Sequence, residues 1–141
     1  MFALLPLLWV WRSVGPARAV LAGTIAGIAC FGVVLSWTWY FGAVAIVPLV
    51  LVQALFWGGA GGIVGLLGSR GVRHPAIPAA AWCLAEGLRG TWPLGGLAWG
   101  EVGTALAPSA AARALAPWGG VLLVSFLVVL LDGVLLDLIA A

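Results

Sequence analysis

Long apolar segments that carry almost no charge dominate this sequence. No charged side chain lies between Arg18 and Arg70, and the closing segment 119–138 contains only two. A helix needs about 20 mostly apolar residues to cross the hydrocarbon core of a bilayer, because each residue advances it by about 1.5 Å. Segments of this length and character predict an all-α fold, a multi-pass transmembrane helix bundle.

The composition supports lipid as the main solvent of the chain. Only 7% of the 141 residues are charged and 65% are hydrophobic, whereas about 25% of the residues of a soluble domain are charged. The formal net charge of +2 is too small to indicate nucleic-acid binding, and all six basic residues are arginine. Cys30 and Cys83 lie in apolar stretches without metal-ligand spacing. We therefore expect two buried packing cysteines, no metal and no cofactor.

About four full spans and a partial N-terminal helix are predicted within a single domain. The run 1–11 ends in aromatic residues followed by an arginine, a pattern typical of a membrane–water interface. It is too short to span and has no basic residue before it, so we expect the second half of a helix rather than a signal peptide. The predicted spans are residues 1–11 (partial), 19–39, 48–67, 76–89 and 119–138.

Two turns that contain arginines set the expected orientation. Arg12 and Arg18 lie in one turn, and Arg70 and Arg73 lie in the next turn but one, so alternation places both on the same side. The positive-inside rule makes that side cytoplasmic. The loop 90–118 is then expected to face outward.

Small residues in the second and third spans predict close helix packing. Gly23 and Gly27 form a small-xxx-small pair, and five glycines follow between residues 58 and 65. A phosphate-binding loop is not favoured, because no Gly-Lys-Ser/Thr follows these glycines and no strand precedes them. Helix–helix contact is the better interpretation.

The segment 82–99 holds the most informative polar residues. Glu86 and Arg89 are three residues apart and therefore share one face of the predicted helix. Charges in a membrane are costly when they are unpaired, so such a pair is a functional candidate. The alternative is a mutual salt bridge that closes the end of the helix. The residues themselves leave both interpretations open.

Two aspartates lie toward the end of the last predicted span. Asp132 and Asp137 are spaced by five, which separates them by roughly 140° on a helix and argues against a paired-carboxylate site. Asp137 is expected at the interface, and Asp132 could face the interior of the bundle. A small transport or assembly protein without enzymatic activity would use Asp132 and the glycine-rich third span to line a pathway.

The pattern Trp82-x-x-x-Glu86-x-x-Arg89-Gly90, followed by a turn-rich loop from Trp92 to Trp99, resembles the membrane region of apolipoprotein N-acyltransferase. That family has a W-x-x-x-E-x-x-R-G segment at the end of a helix and a G-F-P-W loop on the outer side. Residues 6–9, 27–39 and 119–127 resemble further helices of the family in the same order. Leu97-Ala98 stands where the family has Phe-Pro.

The resemblance implies that this chain is the membrane region of an acyltransferase in the bacterial plasma membrane. The family transfers an acyl chain from a phospholipid to the N-terminal diacylglyceryl-cysteine of lipoproteins. Its catalysis uses a Glu-Lys-Cys triad in a nitrilase-like domain outside the membrane. This chain contains no lysine. We therefore expect a truncated or split chain that contains no catalytic residue and is inactive alone.

The resemblance also implies roles for four residues at the outer side. Trp92 and Trp99 would shape an outward-facing opening for lipids, Arg89 would contact a headgroup phosphate, and Glu86 would hold Arg89 in place. The implied partners are a phospholipid acyl donor, the lipoprotein's diacylglyceryl-cysteine and the bilayer, with no nucleic acid. A remnant that has kept only the residues needed for membrane insertion is a further alternative.

Overall fold

The computed structural model describes residues 3–140, in which every regular element is helical and no strand occurs. This confirms the all-α fold class. The first two residues of the predicted partial span lie outside the described range. The helices are α1 (Leu5–Ser13), α2 (Pro16–Val34), α3 (Ala43–Ser69), α4 (Ala76–Arg89), α5 (Val102–Ala105) and α6 (Ala110–Ala140), with a 3-10 helix, Ser36–Phe41, between α2 and α3.

Three helices within residues 3–140 are long and apolar enough to cross a membrane. They are α2, α3 and α6, with mean hydropathies of 1.8, 2.0 and 2.6 over their most apolar windows. Helix α4 has 14 residues and is therefore about 21 Å long, shorter than a hydrocarbon core of about 30 Å. The fold is a multi-pass helical bundle, and the assignment of α4 as a full span stays a prediction.

The aromatic end of the second predicted span is not α-helical. Helix α2 ends at Val34, and residues 36–41 form a 3-10 helix instead. The hydroxyl of Thr38 donates to the carbonyl of Leu35 at 2.7 Å, a local bond that competes with the regular α-helical ladder. Gly42 then adopts φ 86°, so α3 begins at Ala43, five residues before the predicted start at 48.

The last helical region consists of two helices joined at a kink. Gly119 has φ −161° and ψ 19°, and Gly120 has φ 66° and ψ −164°. Pro117, just before this point, also lacks the N–H that would continue the hydrogen-bond ladder. The kink separates a short helix, 110–118, from the long apolar segment that ends at 140.

Helices α2 and α3 pack closely through glycines, as the sequence predicts. A Cβ atom on Gly23 would lie 2.5 Å from the carbonyl oxygen of Trp57, and one on Gly27 would lie 2.7 Å from the Cα atom of Ala54. On α3, a Cβ atom on Gly61 would lie 2.5 Å from the carbonyl oxygen of Ala19. These backbones could not approach so closely if the glycines carried side chains.

A cluster of four aromatic rings joins α1 to α4 through the core. Trp82 packs between Trp11 and Trp57, with ring centroids 5.8 Å and 4.7 Å away, and Phe31 meets Trp57 edge-on at 5.3 Å. Trp11, Trp82 and Phe31 are almost completely buried. The short helices α1 and α4 are therefore packed against α2 and α3.

The two aspartates of α6 have different environments. Asp137 forms an ion pair with Arg12, whose Nη1 also donates to the carbonyl of Gly133 at 3.1 Å. This contact ties α6 to α1. Asp132 is 1% exposed, and neither of its carboxylate oxygens has a hydrogen-bond partner among residues 3–140.

The cysteines are free thiols, and both are half-buried rather than fully buried. The thiol of Cys83 donates to the carbonyl of Leu122 at 3.3 Å. Cys83 therefore packs between α4 and α6. No group of three or more potential metal ligands occurs within the described range.

Candidate functional site

Glu86 is buried at the end of α4 and connects that helix to the chain that follows it. Its Oε1 atom accepts hydrogen bonds from Trp82 Nε1 and from the backbone N–H of Val102, both at 2.9 Å. Trp82 precedes Glu86 by one helical turn, so the indole and the carboxylate share a helix face. The side chain is 1% exposed. Glu86 thus anchors the start of α5 to α4.

Arg89 is completely buried and binds the loop that returns over the end of α4. Its Nη1 atom donates to the carbonyls of Leu97 and Trp99, at 3.1 Å and 2.6 Å, and lies 3.4 Å from Gln53 Oε1. The guanidinium carbon lies 5.1 Å from the centroid of the Phe31 ring, a cation–π contact. These loop carbonyls are paired by a side chain rather than by secondary structure.

Of the two interpretations that the sequence left open, the mutual salt bridge between Glu86 and Arg89 does not form. The only ion pair within residues 3–140 is the one between Arg12 and Asp137. Both buried side chains bind backbone atoms of residues 97–102 instead, because the loop folds back over this helix face. Glu86 Oε2, Arg89 Nε and Arg89 Nη2 are buried without a partner in the same part of the chain.

A tight turn after α4 returns the loop to Arg89. Leu94, Gly95 and Gly96 all have positive φ, at 55°, 91° and 81°. The backbone N–H of Leu97 then donates to the carbonyl of Arg89 at 2.7 Å. A side chain on Gly96 would collide with the backbone of Gly90. Gly96 is therefore needed both for its conformation and for space, whereas Gly95 is needed for its conformation alone.

The structure does not gather the four predicted site residues into one cluster. Glu86 and Arg89 lie beneath the loop, whereas Trp92 and Trp99 are 65% and 56% exposed. Trp92 meets the ring of Phe56 on α3, and Trp99 packs against Trp37 of the 3-10 helix, with centroids 6.2 Å and 5.7 Å apart. The two tryptophans therefore flank the loop at separate places.

An apolar groove of about 520 Å³ runs between α3 and α4 and ends at Trp92. Its floor consists of small residues from both helices, and its walls are larger apolar side chains. The lining includes Gly59, Ala60, Ala81 and Ala85, with Leu55, Phe56, Ile63, Leu84, Leu88, Trp92 and Pro93 around them. Of these residues, only Trp92 was predicted as part of a site. The alanine-rich start of α4 is the sequence signal that could have indicated a groove.

Glu101 is a further acidic group near the buried pair. It lies in the loop just before α5 and is half-buried. Burial raises the pKa of its carboxyl group, and the neighbouring Glu86 acts in the same direction, while Arg89 and a hydrogen bond to Thr104 oppose the shift. The ionised form of Glu101 is therefore disfavoured in the folded state relative to the unfolded chain.

This shift predicts a pH dependence of stability. Because the folded pKa is raised, the stabilising contribution of the protonated carboxyl is fully present below about pH 4.5 and is lost as the pH rises through the folded pKa. As the pH rises through this pKa, we expect the Tm of the unmodified chain to fall relative to the Tm of Glu101→Gln. Thermal unfolding of both proteins in detergent at a series of pH values measures this difference in Tm. Parallel curves for the two proteins would contradict the assignment.

Known proteins resemble the chain over nearly its whole length. The family described as "Apolipoprotein N-acyltransferase N-terminal domain" matches residues 1–134. Two proteins named apolipoprotein N-acyltransferase match 91% of the chain, one from Methylococcus capsulatus at 29% identity and one from Nitrosomonas europaea at 36%. The chain spans 28% of the length of each. No solved structure shows a significant match. The resemblance drawn from residues 82–100 is thereby confirmed, and the chain belongs to the apolipoprotein N-acyltransferase N-terminal domain family.

Proposed function

We propose that this chain is the membrane domain of an enzyme that transfers an acyl chain from a phospholipid to the N-terminal diacylglyceryl-cysteine of lipoproteins. The family membership supports the reaction class. The observation that carries the role of this chain is the apolar groove between α3 and α4, which ends at the loop tryptophan Trp92. In this proposal the groove receives an acyl chain and the loop receives the headgroup.

The groove would act by orienting a lipid rather than by binding it tightly. It is open on one side, and acyl chains outside it are as apolar as its leucine and isoleucine walls, so moving a chain into it changes little hydrophobic free energy. Its floor of Gly59, Ala60, Ala81 and Ala85 leaves room for a chain alongside α4. A chain in this position would bring its headgroup to the end of α4, beside Trp92. Holding reactants in such a defined geometry lowers the entropic barrier of a later transfer step.

We propose a positioning role for Arg89 in place of direct phosphate contact. The guanidinium is completely buried, and the bonds from Nη1 go to the carbonyls of Leu97 and Trp99 and to Gln53. A headgroup could reach it only if the loop moved. Glu86, through Val102, would hold the other end of the same loop. The pair would thus shape the surface that Trp92 and Trp99 present to lipid.

The proposed location is the bacterial plasma membrane, with the loop 90–118 facing outward. Four arginines lie at the opposite end of the helices. Arg12 and Arg18 flank the connection 14–15, and Arg70 and Arg73 lie within the connection 70–75. An excess of arginine in short connections favours the cytoplasmic side. The chain contains no lysine, so a Glu-Lys-Cys triad would have to come from outside these 141 residues.

A groove-filling variant tests this proposal. In a chimera that carries this chain in place of the matched region of the Nitrosomonas europaea relative, we expect Gly59→Leu to lower acyl transfer to a lipoprotein peptide about tenfold, because the lipid would be displaced. Gly59 lines the groove, and its Cβ position meets no atom within 4 Å. The leucine is therefore expected to leave the helix packing intact.

Gly32→Leu is the matched control for this experiment. Gly32 lies on α2, outside the groove lining, and its Cβ position is also free of atoms within 4 Å. We expect this chimera to keep nearly full transfer. Equal activity of the two variants would contradict the groove assignment. A chimera that reaches the membrane at normal levels but transfers no acyl chain would contradict the enzymatic role itself.

A further inference from the structure

Another cavity, of about 330 Å³ and with three charged residues in its lining, lies at the arginine end of the bundle. It is formed where α1, the turn before α4 and the end of α6 meet. Its lining residues are Trp9, Arg12, Ser13, Arg73, Leu136 and Asp137. None of them belongs to the loop, to the groove or to the buried pair at the other end of α4. The cavity is therefore a separate feature of the molecule.

The charges of this cavity do not cancel. Asp137 is paired with Arg12, which also donates to the carbonyl of Gly133, and the Arg12 side chain is only 17% exposed. Arg73 is exposed and forms no side-chain hydrogen bond or ion pair within residues 3–140. Two guanidinium groups thus face one carboxylate, which leaves an excess of one positive charge. A ligand with a single negative charge would neutralise this excess positive charge.

The two guanidinium groups point to the chemistry of that ligand. The planar fork of N–H donors on arginine matches the oxygens of a phosphate and can bind two of them at once. Arg73 is free to move toward such a group, while Arg12 is held in place by Asp137. A phosphodiester carries one negative charge and offers the oxygens that this arrangement requires.

The surroundings of the cavity indicate a lipid as the source of the phosphate. Trp9, at its edge, is 62% exposed, and an indole ring in this position is suited to the boundary between headgroups and acyl chains. Val134 lies one turn before Asp137 on the same face of α6, toward the bilayer centre, and is 38% exposed. An acyl chain could cover this side chain while its phosphate lies in the cavity. Free phosphate in solution would leave it uncovered.

We propose that the cavity between α1, α6 and the turn 70–75 binds the phosphate of an anionic phospholipid, with Arg73 as the principal ligand. Arg12, held by Asp137, supplies the second positive charge. Because the lining comes from three separate elements, a bound lipid would also link them at this end of the bundle. This site is independent of the proposed acyl transfer, since the groove and the loop lie at the other end of α4.

The test is lipid binding to the purified 141-residue chain in detergent, followed by native mass spectrometry. We expect phosphatidylglycerol to bind more tightly than phosphatidylcholine. Arg73→Gln should weaken the binding of phosphatidylglycerol about thirtyfold, because it removes a charge-assisted hydrogen bond to the phosphate. Arg73 is exposed, so the variant should keep the helical content and Tm of the unmodified chain.

Arg70→Gln is the matched control, because Arg70 is also exposed and lies at the same end of the bundle but outside the cavity lining. Both variants remove one positive charge, and we expect Arg70→Gln to weaken binding by no more than about fivefold, the effect of one arginine near an anionic lipid surface. Equal losses in the two variants would show a diffuse charge effect and overturn the site. Equal binding of the two lipids would also overturn it. Inorganic phosphate should not displace the lipid, and complete displacement would reassign the cavity to free phosphate.

Discussion

Replacement of Arg89 by leucine is expected to release the loop 90–101 and to destabilise the bundle by about 3–5 kcal/mol, because two loop carbonyls lose their charged donor. The leucine would leave the carbonyls of Leu97 and Trp99 without their donor. It would also remove the cation that lies nearest to the buried Glu86 on the same helix face. Unpaired buried groups of this kind bear their full desolvation cost.

Thermal unfolding in detergent measures the loss of stability, and limited proteolysis measures the release of the loop. Arg113→Leu is the control, because Arg113 also donates to two loop carbonyls, those of Ala107 and Pro108, but does so at the surface. Water can replace Arg113 as a donor, so we expect a change within about 0.5 kcal/mol. Similar losses for the two variants would show that burial of the Arg89 bonds does not matter.

A valine at Gly27 is expected to separate α2 from α3 and to destabilise the fold by about 3 kcal/mol, at the upper end of the usual cost of overpacking a core. Even a Cβ atom at this position would lie 2.7 Å from the Cα atom of Ala54. The obstacle is backbone, which cannot change rotamer to make room. The added methyl groups would increase the collision.

The matched variant is Gly32→Val, five residues further along α2. Its Cβ position meets no atom within 4 Å, so valine there has the same intrinsic helix propensity but no collision. Thermal unfolding of both variants isolates the packing term, because the propensity difference cancels. If Gly32→Val were as unstable as Gly27→Val, the loss would have to be assigned to the helix itself rather than to the contact with α3.

The polar residues of the site were predictable, but their partners were not. Glu86 and Arg89 attract attention in the sequence because charges in an apolar segment are costly. Their spacing by three suggests a mutual pair, yet they bind Val102, Leu97 and Trp99 instead. That outcome depends on the positive φ angles of residues 94–96, which return the chain over α4. A residue spacing along one helix contains no information about such a turn.

The groove shows a similar limit of sequence reasoning. Gly59 and Ala60 come from α3, whereas Ala81 and Ala85 come from α4. Each set is unremarkable alone, because small residues usually indicate helix contact. Whether a small residue is covered or open depends on the neighbour that faces it. Gly58 is covered by Thr24 on α2, while the adjacent Gly59 has open space beside it.

The sequence by itself determined the helical class, the apolar segments that form α2, α3 and α6, and the family, because these follow from local composition and from motifs within one segment. Tertiary structure decided which glycines are contacts, where Arg89 donates, and that Arg12 pairs with Asp137, 125 residues away. The physical reason is that hydrophobicity acts on each segment separately. Hydrogen bonds and close contacts act between atoms that only the folded chain brings together.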